Sequence, residues 1–467
     1  MLLVLLLPDS GRDALASAAG SERGGRFYEP VEVPGSFFPG FLGKENDTLA
    51  LYAWTESGTW RPVLFQIDER TPDGDYVFTK GPQANTAMAN GVFDSQDLVA
   101  FLAREALFRA PENLLPPGAA TAIPVELLDP VEEGSRWVYL TCFNRKPPAG
   151  GAEPVSILSE AEGVFRFRFP TYRYDALTNN PNDKPSPTIY IDKLWILKEA
   201  GGSGENILDR QKTRGVMSFM GGLVKIRFNE GIVQGGVVAY QPGPVRLLTH
   251  SSMYPRFPLG VRGPGFTIDS VLVDTLTLTR ITMNVPLNPG YVMHEMSLAF
   301  GTDLAPAAKG MRFYNSANPQ GLVINGSMSA EEKSFNTAKD EWRLITGPQG
   351  TQITCTSFDP RFLTKGKVVT TYLDDETARH PPENFPGDLG AVFDELTIRG
   401  LPAGAYTIEV FGCIPYGFHD PRGLNLDLLE EILNIQKQPL VLRVGGRELH
   451  NQGGCPRVLR EPRRQGS

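Results

Sequence analysis

From Val164 to Phe169 phenyl rings and guanidinium groups alternate: Phe165, Arg166, Phe167, Arg168, Phe169. A period of two places the rings on one side of an extended chain and the arginines on the other, which is the pattern of a half-buried strand. The same period recurs along the chain and constrains the fold more than any other feature. Thr267–Val285 is rich in Val, Ile, Leu and Thr and is long enough for two strands or one long bent one. Ala405–Phe411, Val368–Leu373 and Leu440–Val444 read as further strands. Leu98–Ala103, after an Asp-rich turn, is also read as a strand, although Asp94 or Ser95 could cap a helix there. Only one helix is expected, Asn425–Ile435, where Leu426, Leu429, Ile432 and Leu433 share a face and Glu430 and Glu431 point away.

With 49 Gly and 39 Pro, nearly a fifth of the 467 residues favour turns. The fold class expected is therefore mainly β: a multi-domain β-sandwich architecture with a large central sandwich and one short C-terminal helix. Pro/Gly-rich stretches at Arg145–Gly151 and His380–Gly387 mark the expected boundaries. They delimit an N-terminal β domain over 26–150, a central sandwich over 151–385 and a small C-terminal β unit over 386–450. A basic tail follows over 451–467, where Arg457, Arg460, Arg463 and Arg464 stand against Glu461. Residues 1–25 read as a signal or processed segment: Leu2–Leu7 is apolar, and small residues near Ala14–Ala18 offer cleavage sites. No later segment reaches the ~18 apolar residues of a membrane-spanning helix. The expected location is periplasmic, secreted or on the cell surface.

The formal net charge of −8 disfavours a nucleic-acid partner. Four cysteines, Cys142, Cys355, Cys413 and Cys455, lie far apart and fit either up to two disulfides or unrelated buried thiols. Phosphate-loop, dinucleotide, H-E-x-x-H and G-x-S-x-G motifs are absent from the sequence, and five histidines leave little for a metal site. Nucleotide hydrolysis, hydride transfer and thiol redox chemistry are disfavoured accordingly.

Trp60–Arg70 is followed by Asp73-Gly74-Asp75 and then by Phe93–Ala103. This order, over about residues 60–105, resembles a pattern in secreted bacterial β-rich proteins, mostly uncharacterised, some linked to polysaccharide breakdown. The resemblance implies an extracellular β-sandwich in a carbohydrate context. It transfers no catalytic residue.

Three clusters are candidates for chemistry. Arg246, His250, Tyr254, Arg256 and Arg262 have the residue types an acidic-polysaccharide lyase needs: a cation to neutralise a uronate carboxylate and a base for the adjacent proton. An ordinary surface loop would carry the same residues. Arg166, Arg168, Tyr172, Arg173, Tyr174 and Tyr190, with Trp195, could bind an anionic glycan through ring faces and guanidinium forks. They could equally be a solvated strand face beside core-directed rings. Asp68, Asp73, Asp75, Asp94 and Asp97 could hold calcium, the one cofactor considered, although two Asp/Gly turns explain them more simply. His294, next to Glu295 in a strand, reads as structural, because neighbours point to opposite faces.

The leading function expected is a secreted or envelope β-rich protein that binds or builds and contacts carbohydrate. The alternatives are a carbohydrate-active enzyme such as an acidic-polysaccharide lyase, or an accessory subunit of a larger surface assembly. Polysaccharides and envelope proteins are the expected partners.

Overall fold

The computed structural model describes residues 25–454 except 148–154, 160–163, 178–189, 258–259, 261, 286–292, 381–384, 401 and 418–425. The expected signal segment up to residue 24, most of the first linker, the middle of the second, and the tail from Cys455 onward lie outside the described residues.

The protein is mainly β, with 53% strand and 14% helix. Every strand pairing among the named strands is antiparallel. The alternating segment forms the strand Val164–Arg168, with Phe165 and Phe167 buried and Arg168 exposed. Thr267–Val285 resolves into two strands, Phe266–Val273 and Leu276–Val285, paired from Phe266↔Met283 to Leu272↔Thr277. Leu98–Leu102 is a strand buried along its whole length, because it is central in its sheet and covered on both faces.

A nine-stranded sheet, formed by strands between Val233 and Cys413, is the centre of the molecule. On one face it packs against a five-stranded sheet through Val285, Tyr406 and Ile408 on its own side and Val368, Leu396 and Ile398 opposite. A four-stranded sheet covers the rest of that face, burying Phe165, Phe167, Tyr172 and Tyr174 against Tyr240, Leu247 and Leu272. The helix Leu426–Lys437 packs on the opposite face, where Leu429, Ile432 and Leu433 meet Leu248, Val271 and Phe411 in one core. Leu426, expected on the buried face, is 56% exposed because it begins the helix, and Ile435 is buried further along. Two further α-helical segments, Ala330–Lys333 and Pro360–Lys365, are too short to show a periodic apolar stripe in sequence.

A second sandwich is built from a three-stranded sheet (30–34, 98–102, 65–68) and a six-stranded sheet that includes 119–128 and 135–143. Their shared core holds Val31, Val99, Phe101, Leu140 and Leu442. The segment expected as a separate C-terminal unit, 386–450, contributes to three sheets. Asp388–Ile398 joins the five-stranded sheet, Gly404–Cys413 the nine-stranded one, and Val441–Val444 pairs with Ala119–Leu128 of the six-stranded one. Non-local pairing of this kind leaves no trace in local composition. Asn451, expected as the start of a tail, is buried, and its side chain donates to Glu29 at 2.7 Å and to the carbonyl of Pro30 at 2.8 Å.

Cys142, Cys355 and Cys413 are buried free thiols, so the described residues hold no disulfide. Burial pushes the Cys355 thiol up to about 12, and Cys413 is also raised well above the ordinary range, which keeps both protonated and unreactive. None of the helices among the described residues is long and apolar enough to cross a membrane.

Candidate functional site

The cluster expected for lyase chemistry is spread along the strand Arg246–Pro255 rather than gathered. Arg246 and Tyr254 are eight positions apart, about 27 Å at 3.4 Å per residue. Arg246 is fully buried and is locked to Glu32 and Asp68 of the three-stranded sheet, with its Nε donating to Asp68 at 2.8 Å. Gln66 completes the lock: its Oε1 accepts the backbone N–H of Arg246 at 3.1 Å and its Nε2 donates to Asp68 at 2.5 Å. The Gln66 and Asp68 positions of the sequence resemblance therefore join the smaller sandwich to the nine-stranded sheet. His250 is buried opposite its strand partner Asp269, with Nδ1 2.6 Å from the carboxylate. Only Tyr254, Arg256 and Arg262 come together near the surface, with the Arg262 guanidinium 3.8 Å above the Tyr254 ring. The Tyr254 hydroxyl donates to Gln234 at 3.0 Å.

The expected glycan-binding cluster divides by face. Tyr172 and Tyr174 are core residues, and the Tyr172 hydroxyl donates to the carbonyl of Val273 at 2.8 Å. Arg166 and Arg173 pair with Asp175 at 3.0 and 3.1 Å, and Arg173 lies 4.1 Å over Trp195. These residues and exposed Arg168 share the outward face of the four-stranded sheet. The Tyr190 side chain lies outside the described residues.

The acidic cluster does not converge. Among the described residues no group of three or more His, Cys, Asp or Glu side chains is placed to hold a metal ion. Asp68 is committed to Arg246. Asp97 instead accepts the backbone N–H groups of Arg70 at 3.0 Å and Asp94 at 2.9 Å, pinning two turns together. Burial pushes its carboxyl up to about 6, with Asp94 and Glu69 adding like charge. Asp94 accepts from the amides of Gln96 and Asp97, as a turn-forming aspartate does. His294 is exposed, and its neighbour Glu295 pairs with Arg399 at 2.6 Å.

A concavity among the described residues lies elsewhere, on the face of the five-stranded sheet that points away from the core. It is an open groove of about 420 Å³. Cross-strand register explains its lining. Arg214 sits opposite Ala299, which sits opposite Glu395; Val216 sits between Arg227 and Ser297; Phe393 sits opposite Thr371. Residues paired in register share a face, so cations, a carboxylate, hydroxyls and an aromatic ring gather on one surface. The other parity, with Leu396, Ile398 and Val368, is buried in the sandwich core.

At one end of the groove Asp388, fully buried, organises the charges. Arg214 donates to its two oxygens at 2.6 and 2.9 Å, while the Arg214 guanidinium lies 4.3 Å over Phe393. The buried ammonium of Lys212 is 3.3 Å from Asp388 and 3.0 Å from Asp303. Burial pushes the Asp303 carboxyl up to about 6 even though Lys212 acts against the rise. His380, with a side chain 44% exposed, rests its Nε2 3.2 Å from Asp388. Toward the other end, Ser297 donates to Glu395 at 3.2 Å. Arg227 is exposed, and no carboxylate among the described residues forms an ion pair with it.

None of these groove residues was singled out from sequence. A signal was present: Arg210, Lys212 and Arg214 repeat every second residue along the strand Leu208–Phe219, which places three cations on one face. His380 and Asp388 bracket the second Pro/Gly-rich stretch, which in sequence reads only as a linker.

No known protein family matches the sequence, and no curated protein matches it. Solved structures similar to part of this fold include an α-mannosidase from Enterococcus faecalis V583, at 11% identity and a TM-score of 0.45, covering 90% of this chain and 45% of that one. A glycosyl hydrolase family 38 protein from Enterococcus faecalis is similar at 10% identity and a TM-score of 0.44, covering 90% of this chain and 47% of that one. Heparan sulfate lyase HepC from Pedobacter heparinus is similar at 9% identity and a TM-score of 0.29, covering 66% of this chain and 43% of its own. The chain thus spans less than half the length of each of these three. At these scores the likenesses establish neither a shared site nor a shared reaction.

Proposed function

We propose that the protein binds an acidic saccharide along the groove of the five-stranded sheet. The observation that carries this reading is the exposed guanidinium of Arg227, which pairs with no carboxylate among the described residues and is set on the same surface as Ser297, Thr371, Glu395 and His380. A carboxylate-bearing sugar needs a cation for its charge, donors and acceptors for its hydroxyls, and an apolar patch for its ring face. The groove supplies each, the last through Val216 and Leu373. Its volume falls in the range of roughly 300–1,000 Å³ common for small-ligand sites. In a protein of net charge −8, such local placement is what permits an anionic ligand to bind. A periplasmic or extracellular location belongs to the same proposal.

Calorimetric titration with galacturonate, mannuronate and glucuronate oligomers, beside neutral glucose and mannose oligomers, tests it. Binding to at least one uronate series should weaken as salt rises, and Arg227→Ala should lower affinity about tenfold without shifting the melting temperature. Equal affinity for neutral and uronate oligomers, or no binding to either, would refute the reading.

The assembly-subunit reading has one observation in its favour. The hairpin between Leu208–Phe219 and Val224–Asn229 exposes Met220 at 72% and Leu223 at 85%. Such an apolar tip fits burial against a protein partner. Leu223→Asp should abolish any co-purifying complex while leaving saccharide binding intact.

A further inference from the structure

Building on the groove reading, we propose that the protein cleaves the bound uronate chain by β-elimination, with His380 as the general base. His380 lines the groove with a partly exposed ring, and its Nε2 faces Asp388 at 3.2 Å. Asp388 cannot drift, because Arg214 grips its two oxygens and Lys212 closes its inner side. The negative charge of that fixed carboxylate, within ion-pair distance of Nε2, favours the ring proton on Nε2 and leaves the lone pair on Nδ1. A buried acid thus orients an exposed imidazole at the edge of a ligand-sized groove, the arrangement by which a positioned base is recognised.

The substrate class follows from the cations. A ring proton next to a carboxylate is removable when the charge that develops on that carboxylate is neutralised. Arg227 lines the same groove and is available for it. In the reaction, Nδ1 of His380 takes the C5 proton of the uronate. The electrons of that C–H bond form the C4=C5 double bond. The bond from C4 to the glycosidic oxygen then breaks, and that oxygen leaves with the bonding pair and takes a proton from the imidazolium or from water. The products are an unsaturated uronate end and a free hydroxyl on the other fragment. Neither an oxidant nor a reductant is involved. Asp388 acts through His380 and is a positioning residue.

The purified full chain, incubated with polygalacturonate, polymannuronate and hyaluronan, should generate the ultraviolet absorbance of an unsaturated uronate on at least one polymer. His380→Ala and His380→Gln should each lower kcat roughly 10²–10⁴-fold, with KM and melting temperature unchanged and the rising limb of the pH–rate profile lost. Binding measured in parallel separates the two claims. Binding without product in the wild-type protein overturns the elimination and leaves the binding reading standing. Absence of binding overturns both. Product formation that persists undiminished in the His380 variants overturns the role of His380.

Discussion

Replacing Arg246 with methionine should cost stability. The Arg246 guanidinium neutralises Glu32 and Asp68, and these three side chains are each at most 3% exposed. Methionine keeps much of the volume and the apolar stem but leaves two carboxylates buried without their cation. Breaking a buried ion pair by removing one partner costs about 3–5 kcal/mol. The upper half of that range is expected, because two acids lose their partner at once. With an unfolding entropy of about 2.1 cal/mol/K per residue, a chain of 467 residues unfolding as one unit would lose about 4–5 °C in Tm. Differential scanning calorimetry reads the shift. Combining Arg246→Met with Glu32→Gln and Asp68→Asn should recover most of it, since the uncompensated charge is then gone. Saccharide binding should be unaffected wherever the variant is folded, because the cluster is far from solvent and joins two sheets. A fall in Tm below about 1 °C, or no recovery in the triple variant, would refute the reasoning. Selective loss of binding with stability intact would return Arg246 to a functional role.

Further outcomes follow from the buried acids and thiols. Asp97 holds its proton up to about 6 in the native state against an ordinary 3.8, so between those values the folded protein binds more protons than the unfolded chain. Its contribution to stability is present at low pH and is lost as pH rises through 6. The stability difference between the wild-type protein and Asp97→Asn, followed by urea unfolding from pH 4 to 7, should therefore shift in the variant's favour as pH rises; a constant difference would contradict the burial argument. Cys355 and Cys413 should resist a thiol reagent at neutral pH in the folded protein and react once urea unfolds it. Rapid labelling of both in the native state would show that the sheet opens there.

Sequence patterning carried the fold well where the period was local. The alternation at Phe165–Phe169, the paired strands over 266–285 and the amphipathic helix at 426–437 each needed only neighbouring residues to be recognised. Domain organisation needed more than neighbours, because Val441–Val444 pairs with a strand more than three hundred positions earlier. The site was less legible still. Arg246 and Asp68 look like surface chemistry in sequence and are a buried clamp in the fold, since charge alone does not reveal which partner a guanidinium will find. Tyr172 and Tyr174 have the right chemistry for a sugar platform, but their strand parity turns them inward. The groove draws Arg214, Arg227, Ser297, Glu395 and His380 from separate strands and a loop, and only cross-strand register brings them to one face. The alternating cations at 210, 212 and 214 were the single local trace of it.

The central claim is that an acidic saccharide lies on the outer face of the five-stranded sheet. A crystal structure of the chain soaked with the tightest-binding uronate oligomer tests it most directly. The account predicts a sugar carboxylate within hydrogen-bond distance of Arg227 and a sugar ring lying against Val216 and Leu373. A ligand bound instead over Tyr254 and Arg262, or on the Arg173–Trp195 face, with the groove empty, would contradict it.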